Sequence, residues 1–222
     1  MDDMLLTELD AVLFDLDGTL LDTAHDLVRA LNTVCKEADQ RAPNHDDAAR
    51  YVSHGAMGMV KFAFPKAGDA EHERHRARLV DIYAAGLTVD TTPYPGMPDV
   101  IYALESQGLR WGVVTNKMRY LAEPILQHFD FCKNCATLIG GDTADHNKPH
   151  PAPIQMALDN LGVTPSRALY VGDAEKDVLA GRAAGVRTVA VTWGYIVPET
   201  NPIEWGADYT IDSPRDLLEL RP

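Results

Sequence analysis

The run Ala11-Val12-Leu13-Phe14-Asp15-Leu16-Asp17-Gly18-Thr19-Leu20 starts as an unbroken apolar stretch and stops at two carboxylates, a glycine and a hydroxyl. An apolar run without polar alternation suits a strand buried on both faces, and such strands belong to parallel sheets. Trp111 to Thr115, Thr137 to Gly140, Ala168 to Gly172, Thr188 to Thr192 and Tyr209 to Ile211 read the same way. Helix-period segments separate the later ones, at Leu121 to Phe129, Ile154 to Leu161 and Val178 to Ala184. Strand and helix in alternation define βαβ units, so the expected fold is α/β, a doubly wound parallel sheet with helices on both faces.

Between the first two strands lie about 95 residues, far more than one crossover uses. Leu27, Val28, Leu31, Val34, Cys35 and Ala38 form one helical stripe behind a capping box expected at Thr23 and Asp26. Further helices are predicted over Asp46 to His54, Ala56 to Phe64 and Asp69 to Leu87, ahead of the turn cluster Thr91-Thr92-Pro93-Tyr94-Pro95-Gly96. These observations predict a small helical cap domain at residues 22–92, inserted into a core made of residues 1–21 and 93–222.

The 222 residues are 45% hydrophobic and 24% charged, with no low-complexity tract, which excludes a disordered or fibrous chain. Twenty Lys and Arg against 33 Asp and Glu leave a net charge of -13, a field that repels nucleic acid and anionic membranes. An anionic substrate therefore needs a local positive site. No apolar stretch approaches the roughly 20 residues of a membrane span, so no membrane association and a cytoplasmic location are expected. Cys35, Cys132 and Cys135 are too few for a disulfide framework and read as reduced packing residues.

In an open parallel sheet, ligands bind beyond the carboxyl ends of the strands, so Asp15 and Asp17 are expected to reach a site. Asp15 suits a nucleophile on phosphorus. Asp17 suits an acid that gives a proton to the departing oxygen and later takes one from water. Gly18 permits a sharp turn that brings backbone N–H groups toward a phosphate, with Thr19 beside it. An isolated Asp-x-Asp-Gly would be an acidic turn, but three further strand ends add to it. Thr115 and Asn116 offer a hydroxyl and an amide; Lys148, followed by Pro149, offers a cation. Asp173 and Asp177, four apart after another buried strand, offer hard oxygen ligands for Mg²⁺.

With those four strand ends in order, the chain resembles the haloacid dehalogenase superfamily of phosphohydrolases: Asp15-Leu16-Asp17-Gly18-Thr19, Thr115, Lys148, and Gly172-Asp173 with Asp177. The resemblance implies Asp15 as nucleophile and metal ligand, and Asp17 as acid and base with its backbone carbonyl on the metal. It implies Asp173 as the second metal carboxylate and Asp177 at or beside the metal. Thr115 and the Asn116 backbone would hold a phosphoryl oxygen, and Lys148 would neutralise charge on Asp15 and the phosphoryl group. Asp17 distinguishes the chain from dehalogenases and phosphonate-cleaving relatives. A sugar-phosphate mutase would carry a cap histidine where Leu27 stands, although His25 is close by.

Within the superfamily, Asp22-Thr23, Val113 to Lys117, Pro149 to Pro153 and Val171 to Asp177 are similar to phosphoglycolate phosphatases. Trp111 to Gln127 and a tail from Trp193 to Asp208, with Trp193-Gly194-Tyr195-Ile196 at its start, look like N-acetylmuramic acid 6-phosphate phosphatases; the tail is expected to lie outside the site. The expected reaction is Mg²⁺-dependent hydrolysis of one small phosphorylated metabolite, by a monomer or homodimer. For the leaving group, Arg50, His54, Gly55 and Lys61 are the cap candidates, while Arg74, His75, Arg76 and Arg78 read as a solvated helix face. A signalling receiver domain would be about half as long and lack the insertion, and a silent metabolite-binding relative would have lost the nucleophile.

Overall fold

The computed structural model describes residues 5–221. Residues 1–4 and 222, the outer ends of the core range expected above, lie outside the described residues. The apolar run forms β1 (Ala11–Phe14), in which all four residues are buried. After the acidic turn come β2 (Leu21–Asp22) and four helices: α1 (Ala24–Glu37), α2 (His45–Ala49), α3 (Gly55–Ala63) and α4 (Asp69–Ala84). The chain returns through β3 (Thr92–Pro93) and α5 (Met97–Ser106). The remainder alternates: β4 (Arg110–Val114), α6 (Arg119–His128), β5 (Leu138–Ile139), α7 (Ala152–Leu161), β6 (Ala168–Gly172), α8 (Glu175–Ala184), β7 (Arg187–Val191) and β8 (Tyr209–Ile211).

Six strands form one sheet in the order β5-β4-β1-β6-β7-β8, and every adjacent pair is parallel. The chain leaves β1 toward β4 and β5, then returns to its other side for β6, β7 and β8. That reversal is a topological switch point, and it opens a crevice beyond the carboxyl ends of β1, β4 and β6. The period of two along β1 divides two cores. Val12 and Phe14 pack with Trp111, Val113 and the residues of α5 and α6, whereas Ala11 and Leu13 pack with Tyr170 and the residues of α7 and α8. Each fully buried Leu, Val or Phe of these layers stabilises the fold by about 1.5–3 kcal/mol.

In the insertion, α1 packs against α4, which also packs against α3. The α1 stripe Leu27, Val28, Leu31, Val34 and Cys35 is buried as expected; Ala38 instead follows the last helical residue and is exposed. The expected capping box does not form. Thr23 makes no cap hydrogen bond and donates its hydroxyl to Asp17 (2.5 Å). Asp26 accepts from the Thr91 backbone (2.9 Å) and hydroxyl (2.7 Å), tying the returning chain to the start of α1. β2 and β3 pair antiparallel, so the two ends of the insertion leave the core side by side. The helix predicted from Asp46 to His54 breaks after α2 and tightens into a 3-10 turn at Val52–His54. Gly55, at φ +70°, then redirects the chain into α3, and this bend carries Ser53 to the core. No helix of the described residues is long and apolar enough to cross a membrane.

Candidate active site

Asp15 is the first residue beyond β1, and its N–H donates to Val171 O on β6 (2.9 Å), so the neighbouring strand directs it over the sheet edge. Lys148 arrives on the loop after β5. Asn116 fixes it with a reciprocal pair: its Oδ1 accepts from Lys148 N and its Nδ2 donates to Lys148 O, each at 3.0 Å. The Lys148 ammonium, only 3% of the residue being exposed, donates to Val114 O (2.9 Å) and Tyr170 Oη (2.7 Å). It also lies 2.9 Å from Asp15 Oδ1 and 2.7 Å from Asp177 Oδ1. Asp177 sits in the first turn of α8, where a carboxylate complements the helix dipole, and accepts from Ala174 N (3.1 Å).

Asp173 accepts from Tyr195 N (2.8 Å), Thr19 Oγ1 (3.2 Å) and Ser53 Oγ (3.1 Å). The approach is too close for any side chain at Gly18, which sits at φ +86°. A Cβ there would stand 2.2 Å from Asp173 Oδ2. Asp15, Asp173 and Asp177 each place a carboxylate oxygen within 4.8 Å of the others, the one such cluster of three among the described residues.

Three buried acids face one fully buried cation, Lys148, which pairs with two of them, and Lys176 at the margin; the electrostatics record the shortfall. Burial, then the neighbouring Asp15 and Asp177 carboxylates, push Asp173 up to about 7. Burial also raises Asp177, although Lys148 pulls the other way. At Asp15 burial is outweighed by the charges of Lys148 and Lys176, which hold it below the usual carboxylate range. Asp15 Oδ1 is buried with no hydrogen-bond partner, because the Lys148 contact lies off the hydrogen-bond direction. A buried oxygen without a donor, inside an all-oxygen set short of positive charge, fits a hard divalent cation.

Of these groups Asp15 opens onto a cavity of about 680 Å³ between the sheet edge and the helical insertion, lined also by Asp17, Thr115, Asn116, His54 and Gly55 among others. The Asp17 carboxylate stands apart from the acidic cluster, held by Thr23 and by an ion pair with Lys117. Thr115 Oγ1 accepts from Lys117 N (3.2 Å), so its own proton remains free to donate. Other expected contacts take different positions. The Asn116 side-chain amide is spent on Lys148, and the Gly18 N–H donates to Leu21 O (3.0 Å) rather than facing the cavity. Thr19 is fully buried behind Asp173 and does not line the cavity. Arg50 faces a separate cleft beside His25 and His45, and Lys61 is an exposed residue away from the lining.

Several residues of the site escape the sequence reading. Arg76 of α4 lines the cavity together with Leu79 and Tyr83. Their spacing of three and seven residues places all three on one helix face, a signal that the count of charges in Arg74 to Arg78 obscures. Lys176 reaches across to Ser53 O (2.5 Å). A cation in the first turn of a helix opposes the dipole, which is the clue it offered. Gly194 and Tyr195, in the tail expected to lie away from the site, press directly on Asp173; a Cβ at Gly194 would come within 2.2 Å of Asp173 Cβ.

A haloacid dehalogenase-like hydrolase family model matches residues 12–191. The chain is 43% identical to an N-acetylmuramic acid 6-phosphate phosphatase of Pseudomonas aeruginosa, covering 96% of this chain and 94% of that protein. It is 40% identical to a phosphoglycolate phosphatase of Xanthomonas campestris pv. campestris, covering 94% and 95%. Among solved structures, a predicted phosphoglycolate phosphatase from Haemophilus somnus 129PT superposes with a TM-score of 0.86 at 26% identity, covering 96% of this chain and 97% of that one. The match thus runs from the first strand past the last acid of the cluster and extends to whole chains in sequence and in fold, and on that ground the chain belongs to the haloacid dehalogenase-like hydrolase family.

Proposed function

We propose that the chain is a Mg²⁺-dependent phosphoric monoester hydrolase, acting in the cytoplasm on a small phosphorylated metabolite through an aspartyl-phosphate. The observation that carries this reading is the Lys148 ammonium held between Asp15 and Asp177 at the switch point, with Asp173 alongside and a free Thr115 hydroxyl facing the same cavity. Positioning and electrostatic stabilisation dominate phosphoryl transfer, and these groups supply both.

Asp15 attacks phosphorus while the bond to the ester oxygen breaks, and Asp17 gives that oxygen its proton. In the second step Asp17 takes a proton from water, which attacks phosphorus and releases inorganic phosphate, regenerating the Asp15 carboxylate. Lys148 offsets the charge on Asp15 and on the phosphoryl oxygens throughout, and Thr115 donates to one of those oxygens. Asp15, Asp173 and Asp177, with the Asp17 backbone carbonyl, would hold Mg²⁺, whose charge when bound balances the carboxylates and the phosphoryl group. Residues 22–92 act as a cap over the cavity, excluding water during transfer.

For the substrate we favour a sugar phosphate of the N-acetylmuramic acid 6-phosphate class over phosphoglycolate. A cavity of about 680 Å³ is of the size that small-molecule ligands fill, and a two-carbon acid would occupy little of it. Arg76 and His54 in its wall are the groups suited to a substrate carboxylate, in place of Arg50 and Lys61. A mutase reading finds no support: Leu27 stands where the cap histidine would be, and His25 stacks on His45 with ring centroids 4.6 Å apart in the other cleft. The test is Mg²⁺-dependent phosphate release across N-acetylmuramic acid 6-phosphate, 2-phosphoglycolate, other sugar phosphates and nucleotides. Higher kcat/KM on the amino sugar acid is expected; preference for phosphoglycolate would overturn the substrate, and no release from any ester would overturn the hydrolase.

A further inference from the structure

Asp17 is held in a particular way. Both donors that reach its carboxylate converge on one oxygen: Thr23 Oγ1 and Lys117 Nζ contact Oδ1, Oδ2 receives neither, and Asp17 lines the cavity. Lys117 also donates to Tyr83 Oη (3.0 Å) on α4 and sits over the Tyr83 ring, 4.8 Å from its centroid. The Lys117 side chain is 6% exposed and that of Asp17 16%, so the pair lies in the cavity wall and out of bulk water. An ion pair withdrawn from water contributes little net stability, since desolvation offsets most of the attraction. Its geometry is better accounted for by the chemistry of its acid than by stability.

We propose that Lys117 is a positioning residue for the acid–base step, and that Tyr83 makes its position depend on the packing of α4. This rests on the hydrolase reading above. With Oδ1 committed to two donors, Oδ2 is the oxygen through which Asp17 exchanges a proton with the leaving group. As that proton passes to the departing ester oxygen, the P–O bond breaks, an alcohol leaves and Asp17 becomes a carboxylate. Lys117 stands beside the negative charge at the moment it forms, where a fixed cation contributes most. Because Tyr83 belongs to the insertion and Lys117 to the core, the acid is assembled only when α4 is packed over the cavity.

The step predicts dependence on the leaving group, which a purely structural ion pair would not show. The assay is single-turnover release of alcohol with Mg²⁺-loaded enzyme in excess, comparing p-nitrophenyl phosphate with the alkyl phosphate that the wild type turns over best. A p-nitrophenolate departs without a proton, whereas an alkoxide does not. Lys117→Met is expected to lower the ratio of alkyl to aryl rates at least about tenfold, within the range that general acid catalysis supplies. Tyr83→Phe, which deletes one hydroxyl, lowers the same ratio by a smaller factor, and it carries the test if Lys117→Met does not fold. In an Asp17→Asn background the effect of either change on the ratio vanishes. Equal losses on both esters, or a loss that persists in Asp17→Asn, would overturn the positioning role and leave the hydrolase standing. A wild type that cleaves neither ester would overturn both.

Discussion

Asp173 makes the metal-free protein less stable than its uncharged variant, and Asp173→Asn exposes that penalty. A carboxyl that titrates at about 7 instead of 3.8 keeps its proton in the folded chain across a range where the unfolded chain has lost it. Folded protein then binds more protons, so stability of the metal-free form falls as pH rises from about 4 to about 7 and is level above. The full difference is roughly 4 kcal/mol at pH 8. Asparagine fits the same place. Its carbonyl keeps the Tyr195 N–H, and its amide meets Thr19 Oγ1, 3.2 Å from Oδ1, once that hydroxyl turns to accept. Weaker hydrogen bonds to a neutral carbonyl and the lost attraction of Lys176 take back about half, leaving a net gain of about 2 kcal/mol. For a chain of this length that is a rise in Tm of roughly 4–8 °C. The measurement is calorimetry in chelator at pH 8 and pH 5, then with Mg²⁺. Asp173→Asn is expected to melt higher than wild type at pH 8, to lose most of that advantage at pH 5, and to gain nothing from Mg²⁺, whereas wild type gains. A variant that melts lower at pH 8 in chelator, or still responds to Mg²⁺, would refute the reasoning.

Asp15→Asn removes the nucleophile while its neighbours stay packed, so phosphate release is abolished with the circular dichroism spectrum unchanged; full turnover in that variant would falsify the covalent mechanism. Lys148→Met leaves Asp15 and Asp177 buried against each other without their cation, and urea unfolding should register a loss of about 3–5 kcal/mol together with a fall in kcat of at least about a hundredfold. Tyr195→Phe strips the acceptor from Thr23 N (2.7 Å) at the start of α1 and leaves Ala24 N only its longer bond to Asp22 Oδ1 (3.2 Å) in place of Tyr195 Oη (2.9 Å). A destabilisation of roughly 1–3 kcal/mol is expected in the same experiment.

All six strands of the sheet were legible, each displaced by no more than a residue or two from where its apolar run predicts; in β1 and β6 every residue is buried, so no exposed residue blurs the run. α5 went unread although Met97, Val100, Ile101 and Leu104 recur at helical spacing and are all buried. This ten-residue helix starts directly on the turn cluster, with Gly96 as its N-cap and Pro98 in its first turn, so its opening residues carry turn signals. β2 and β3 carry no signal of their own, since two residues per strand are too few for any period to show.

The carboxylates and Lys148 were legible for a different reason: Asp15 and Asp173 follow directly on β1 and β6, Asp17, Asp177 and Lys148 lie on the segments that leave strand ends, and topology sends such residues to one edge of the sheet. Topology says nothing about the insertion, whose residues meet the core only through packing. Charge and proximity in sequence point to Arg50 and Lys61 within the insertion, and both face elsewhere. Arg76 and Tyr83 reach the cavity because Leu79, between them, is buried and sets which face of α4 turns inward. Apolar neighbours at helical spacing are thus the better guide to a functional residue on an inserted helix, since burial orients the helix and the charged group follows. By the same argument the partners of Lys117 and Ser53 cannot be read from sequence: each depends on contacts across the boundary between core and insertion, Lys117 with Tyr83 and Ser53 with Asp173. A contact of that kind exists only once the two parts have packed, which is also why it can report that packing to the acid at Asp17.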